Sequence, residues 1–318
     1  MFGERPDTLP QRLSFLLLPG FSLFGLTAML NPLRHANRYA ERELYQFELL
    51  SESGGLVASS DGLEVTTATS LRQARTCETL IIVAGAHPQR QITPTVLAFI
   101  RKQASLGADI GSQDTAAFIT ASAGVLNGYR STVHWEHLES TRQQFPEVSW
   151  VQEVVVVDRS RFSCAGGLAG LDLMLHLIAS QHGQTLAANV ADELIYTQLR
   201  AQHEPQRPTL NKRLDSRNPA LQEAVLLMER NLEEPLKVAE IARQVGISTR
   251  ELERLFRHYQ HTSPARYYRD LRLDQARWML QQTAHSITTI ADACGFPSLS
   301  HFSRCYQQRF LKSPSKER

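Results

Sequence analysis

The chain has 318 residues, 42% of them hydrophobic, a length that suits two globular domains better than one. The net charge of +2 hides an asymmetry: residues 206–318 carry 19 Lys+Arg against 12 Asp+Glu, and residues 1–205 carry 15 against 20. A basic module joined to an acidic one is expected when only one of them meets a polyanion. Four cysteines without CxxC or metal-ligand spacing, an N-terminus without a basic region leading into an apolar core, and an apolar stretch at 15–26 interrupted by Pro19 and Gly20 argue against a metal site, a signal peptide and a membrane span. A soluble protein of the reducing cytoplasm, needing no metal or cofactor, is expected.

From Leu13 the first half alternates strand-like and helix-like segments. Leu13–Leu18 reads as a buried strand ending at Pro19-Gly20, and Thr27–Arg38 as a helix through Met29, Leu30 and Leu33. Tyr45–Ser51 and Leu80–Ala84 read as strands, Pro94–Ser105 as a helix, Asp109–Gly111 as a short strand and Thr115–Ala123 as a helix closed by Gly124. Trp150–Asp158 and Phe162–Ala165 read as strands, Leu168–His182 and Thr185–Ala201 as helices. Alternating short apolar strands and helices predict a mostly parallel sheet covered on both faces, with ligands at the carboxyl ends of its strands.

The informative turn is Gly111-Ser-Gln-Asp114-Thr115, where a strand passes sharply into a helix and presents its turn residue among unpaired amides. With AGAHP at 84–88, AGVLNGYRSTVHWE at 123–136 and SCAGGLAGLDLML at 163–175, residues 12–202 resemble the class I glutamine amidotransferase-like superfamily, in particular the PfpI-like domains of GlxA-type regulators. The resemblance implies a flavodoxin-like α/β domain. Enzymes of that superfamily carry an activated cysteine at the elbow; here the position holds Asp114, and none of Cys77, Cys164, Cys294 and Cys305 falls there. Positions 25 and 31, where the family tends to place an acidic residue, hold glycine and asparagine. The expectation is a sensor with no catalytic residue; the competing one is an amidase-like hydrolase with a fused DNA-binding tail. Asp114, Thr115, Gly85, His134 and Trp135 are the candidate ligand residues, the carboxylate favouring a cation and the indole an alkylated ammonium. Asp114 could equally cap its helix, Trp135 could be a core aromatic, and Cys164 reads as a small buried hydrophobe. The resemblance implies an effector such as arginine, betaine or carnitine.

Residues 203–217 are polar, proline-bearing and aperiodic, and read as a linker; Asn218-Pro219 then opens a helix with Leu221, Val225, Met228 and Leu232 on its buried face. In KVAEIARQVGISTRELERLFRHYQ (237–260), Val238, Ile241 and Val245 lead to Gly246, Ile247 fills the corner, and Ser248 with Glu251 forms a capping box. The next helix buries Leu252, Leu255, Phe256 and Tyr259 and turns Arg250, Arg254 and Arg257 outward. Helix, turn, helix with a basic face predicts entry into a DNA major groove. The pattern returns about 45 residues later, from Ile287, Ile290 and Ala291 through Gly295 and Phe296 to Ser298–Phe310. Pro264–Gln282 lies between as one connecting helix.

Residues 218–318, above all SPARYYRDLRLDQARWML and GFPSLSHFSRCYQQRFLKSP, resemble the AraC/XylS family of transcription regulators. The resemblance implies an all-α DNA-binding domain with two helix-turn-helix units. By position it puts DNA contacts on Ser248, Thr249, Arg250, Glu253, Arg254 and Arg257, and on Ser298, Leu299, Ser300, His301 and Arg304. Pro297 and Leu299 depart from the family pattern, which more often has polar or small residues there; Pro297 suits the first turn of a helix. The expected partners are double-stranded DNA, a small-molecule effector, RNA polymerase and a second copy of the chain as homodimer, and the family mode implies an activator.

Overall fold

The computed structural model describes residues 2–4, 8–85, 87–197, 199–201, 203–206, 214, 218–282 and 285–317. Its contacts divide the chain into two units, Met1–Arg207 and Pro208–Arg318. In the first unit the strands are β1 (Gln11–Leu17), β2 (Tyr45–Ser51), β3 (Gly55–Ala58), β4 (Glu64–Thr67), β5 (Thr69–Ser70), β6 (Thr79–Val83), β7 (Asp109–Gln113), β8 (Arg130–Ser131), β9 (Ser149–Trp150), β10 (Val155–Asp158) and β11 (Arg161–Cys164). The helices are α1 (Leu23–Tyr39), α2 (Pro94–Ser105), α3 (Ala116–Ser122), α4 (Leu138–Gln144), α5 (Ala169–His182) and α6 (Gln184–Glu193).

The main sheet runs β10-β11-β7-β6-β1-β2-β5, parallel throughout except for the β10–β11 pair. Period-two alternation explains the near-continuous apolar strands. Phe15, Leu17, Ile81 and Val83 pack on one face with Met29 and Leu33 of α1 and Leu173 and Leu177 of α5. Leu16, Leu18, Leu80 and Ile82 pack on the other with Val96 and Ile100 of α2 and Ile119 of α3.

Three departures from the sequence expectation have local causes. α1 starts four residues early because the Ser22 hydroxyl accepts the Gly25 amide at 3.0 Å. The strand expected over 150–158 is two elements, β9 pairing with β8 and β10 joining the main sheet. The helix expected to reach Ala201 stops at Glu193, and Ile195 turns the chain at φ 54°. The reason lies in α5, where Asp172 is fully buried. Its carboxylate takes the Tyr196 hydroxyl at 2.8 Å, the Arg200 amide at 3.1 Å and the Arg200 guanidinium at 2.6 Å. A buried carboxylate needs such partners, and a continued helix would carry them away.

Of the polar stretch 203–217, residues 207–213 and 215–217 lie outside the described residues. Residues 203–206 are held on the first unit rather than spanning free. Val154 donates its amide to the Glu204 carbonyl at 2.9 Å, and the Gln206 amide donates to the Thr132 hydroxyl and the Val133 carbonyl, both at 2.8 Å.

The second unit contains α7 (Pro219–Arg230), α8 (Val238–Gln244), α9 (Thr249–Gln260), α10 (Pro264–Gln282), α11 (Ile287–Ala293) and α12 (Leu299–Phe310). Asn218 caps α7 by accepting the Leu221 amide at 3.1 Å. Two small cores share α10. Tyr268 packs with Leu221, Ile241, Leu252 and Phe256, whereas Leu273, Ala276 and Leu280 pack with Ile290, Phe296, Phe302 and Tyr306. Nineteen helical residues make a rod of about 28 Å.

α9 and α12 both end on left-handed residues that are not glycine, His261 at φ 51° and Leu311 at φ 58°. Leu311 is 87% exposed and gains no burial for that conformation. Leu311→Gly should therefore stabilise the chain by roughly 0.5–1 kcal/mol. An unchanged or lower unfolding midpoint in urea would contradict this.

Candidate DNA interface and effector pocket

The two helical pairs of the second unit are built alike. After α8 the chain turns at Gly246, φ 74°, and the Ile247 amide closes on the Ala242 carbonyl at 3.0 Å. After α11 it turns at Gly295, φ 68°, and the Phe296 amide closes on the Ala291 carbonyl, also at 3.0 Å. Ser248 caps α9 by accepting the Glu251 amide at 3.1 Å, and Ser298 caps α12 by accepting the His301 amide at 3.2 Å. Pro297 therefore precedes the cap and lies outside the helix.

α9 buries Leu252, Leu255 and Phe256 and exposes Thr249, Arg250, Glu253, Arg254 and Arg257 on the opposite face. The expected capping box is only half formed. The Glu251 carboxylate turns to Arg254 instead, accepting Nη2 at 2.6 Å and Nε at 2.9 Å; a charged donor four atoms wide outcompetes one backbone amide. Arg257 stands 3.9 Å from Glu253. α12 buries Phe302, Cys305 and Tyr306 and exposes Ser300, Arg304 and Leu299. His301 is half-buried, its Nε2 3.5 Å from the Cys305 sulfur and its ring 5.9 Å from that of Phe296.

In the first unit the elbow lies between β7 and α3. Asp114 sits at φ 60°, unusual for a residue with a Cβ. Its amide donates to the Cys164 carbonyl at 2.9 Å, and Thr115 donates its hydroxyl to the Gly85 carbonyl at 2.5 Å. Gly166 leaves the room the carboxylate occupies: a Cβ there would stand 2.7 Å from the Asp114 Cγ. The cap position of α3 is Thr115, without a side-chain cap bond, so Asp114 is not the N-cap residue.

Burial pushes the Asp114 carboxyl up to about 7; the Glu136 charge adds to the rise and the Thr115 amide opposes it. His134 and Trp135 are half-buried, their rings 5.5 Å apart. Burial lowers the His134 imidazole against the pull of Glu136. Burial also takes His137 down to about 4, helped by His134 and His87. Asp114 thus feels a second carboxylate, while the imidazoles of the 134–137 segment are held below their ordinary value by burial. Glu136, His137 and His87 escaped the sequence reading; the HWEH spacing of 134–137 was the available signal for two of them. Gln113, immediately before the elbow, is fully buried, and neither atom of its amide has a hydrogen-bond partner among the described residues.

All four cysteines are free and buried. Burial raises the Cys77 thiol and takes Cys164 up to about 12. Among the described residues no group of three or more His, Cys, Asp or Glu could hold a metal ion, and no helix is long and apolar enough to cross a membrane.

Known proteins agree with both halves of this picture. Residues 11–180 match the DJ-1/PfpI family and residues 241–318 a helix-turn-helix domain. The HTH-type transcriptional regulator GbdR of Pseudomonas aeruginosa is 42% identical over 97% of this chain and 84% of its own length. The HTH-type transcriptional regulator CdhR of the same species is 40% identical over 96% and 90%. Among solved structures, an AraC family transcriptional regulator from Pseudomonas putida superposes with a TM-score of 0.54 at 28% identity, covering 58% of this chain and all of that one. With a DJ-1/PfpI-type α/β unit followed by paired helix-turn-helix motifs, and with relatives of this likeness along almost its whole length, the chain belongs to the HTH-type transcriptional regulators and binds DNA to regulate transcription.

Proposed function

We propose that this regulator is an activator switched by a small cationic or zwitterionic amine, an amino acid or quaternary amine such as arginine, betaine or carnitine, bound at Asp114. The observation that carries the reading is the Asp114 carboxyl at the elbow, raised by burial and raised further by the Glu136 charge. A cation is the cheapest complement to such a group, and the Trp135 face adds attraction for an alkylated ammonium. Residues 12–202, with 203–206 held on them, sense the effector and dimerise, the rest of 203–217 connects, and 218–318 read DNA. Ser248, Thr249, Arg250, Glu253, Arg254 and Arg257 serve the first contacted segment; Ser298, Leu299, Ser300, His301 and Arg304 serve the second. The effector changes the relative free energy of two domain or dimer arrangements, and promoter occupancy or polymerase contact follows. The protein works in the cytoplasm and catalyses no reaction.

A thermal-shift panel of amines, amino acids and their N-methyl derivatives, run at pH 8, tests this. A ligand at 100 times its Kd stabilises the native state by about 2.7 kcal/mol. A flat panel would remove the sensor reading and leave dimerisation as the role of the first unit. The hydrolase alternative requires a reactive thiol. With Cys77 and Cys164 buried and raised, iodoacetamide at pH 7 should leave the native full-length chain unlabelled; stoichiometric labelling accompanied by loss of a hydrolytic turnover would restore the enzyme.

A further inference from the structure

One ion-pair cluster lies away from both exposed helix faces. Arg309, in the last turn of α12, reaches back to α10 and donates Nη2 to Asp274 Oδ2 at 2.7 Å and Nε to Asp274 Oδ1 at 3.1 Å. Its Nη1 stands 3.0 Å from Asp270 Oδ2. The two carboxylates are one helical turn apart on the rod. Their positions straddle the boundary between the two cores, Asp270 beside Tyr268 and Leu271 of the first and Asp274 beside Leu273 of the second. The same guanidinium borders a cleft of about 460 Å³ whose other walls include Gln260, His261 and Thr262 at the end of α9, with Tyr267 of the rod. One side chain of the second helix pair thus stands where the first pair ends. A planar fork held by two carboxylates resists rotation of α12 about the rod, as a single exposed ion pair would not.

We infer that Arg309 is a positioning residue that fixes the phase of α12 relative to α9, so that the chain selects DNA by the spacing of its two contacted segments. The inference rests on the proposed reading that α9 and α12 both touch DNA. An alternative, direct contact of Arg309 with phosphate, makes the opposite prediction for its partners. Neutralising Asp270 and Asp274 would then release a cation and tighten binding.

The test uses the full-length chain and the duplex it selects from a random 30-bp library, with the two contacted segments located by footprinting. Arg309→Gln should weaken binding to this duplex by about tenfold, and Asp270→Asn with Asp274→Asn should do the same, without further loss when all three are combined. Binding to a duplex with one segment scrambled should be unchanged, and a one-base-pair insertion between the segments should cost Arg309→Gln less than wild type. The unfolding midpoint, read alongside, should stay close to wild type; a collapse of scrambled-duplex binding together with the midpoint would reduce Arg309 to a stability residue. Equal insertion penalties in variant and wild type, or tighter binding by the carboxylate variants, overturn the inference. If wild type itself shows no insertion penalty, the two-contact reading fails and the inference falls with it.

Discussion

Arg254→Ala is expected to weaken specific DNA binding by about 1–3 kcal/mol and to relax sequence preference within one contacted segment. The guanidinium stands on the exposed face of α9, one turn after Arg250, already oriented by the Glu251 carboxylate. That pair is exposed, and such pairs are worth little, so a base edge displaces it at small cost. The fork also arrives with its side chain partly ordered, which reduces the entropy lost on binding. Arg257→Ala, if Arg257 only meets phosphate, should instead weaken all duplexes alike and reduce the salt slope by about one. Fluorescence anisotropy on the selected duplex and on a scrambled one, at two salt concentrations, separates the outcomes. An unchanged footprint for Arg254→Ala would retire its assignment.

Asp114→Asn is expected to abolish the effector response and to raise stability at pH 8. The folded carboxyl titrates near 7, against about 3.9 for an unfolded aspartate. Between these values the folded chain holds a proton that the unfolded chain has released, so Asp114 stabilises below pH 4 and that contribution is lost as pH rises through 7. Asparagine does not titrate; the variant should exceed wild type at pH 8, with the advantage fading towards pH 4. Effector binding runs the other way, because a cation needs the ionised carboxylate. Wild-type affinity should fall about tenfold for each pH unit below 7. Thermal melts across pH 4–8 and calorimetry at pH 6 and 8 give both curves. A variant that still responds would place the effector elsewhere.

If both effects are found, the proposed site sacrifices stability for recognition; only part of its surroundings was legible beforehand. The elbow could be read because a strand, a sharp turn and a helix are local features. Glu136 acts on Asp114, and His87 on His137, only because separate segments come together in the fold. Sequence spacing carries no trace of that convergence. The same distinction runs through the fold. The bounds of β2, α2 and α10 followed from local patterns: Pro at the start of both helices, and apolar and polar residues alternating through Tyr45-Gln-Phe-Glu-Leu49 in the strand. The β3–β4 pair passed unnoticed although Asp61-Gly62, between Val57 and Val65, is a hairpin signal; its strands are short and largely exposed, so the apolar pattern is weak. The end of α6 was set by the buried Asp172, a tertiary demand that periodicity cannot register.

Gln206 has a practical corollary for dissecting the protein. Its amide bonds with Thr132 and Val133, the residues immediately before His134 and Trp135. Truncating the chain at 202 would strip a seam from the segment that carries the proposed effector site. An excised N-terminal fragment must retain residues 203–206 if its ligand affinity is to represent that of the intact regulator.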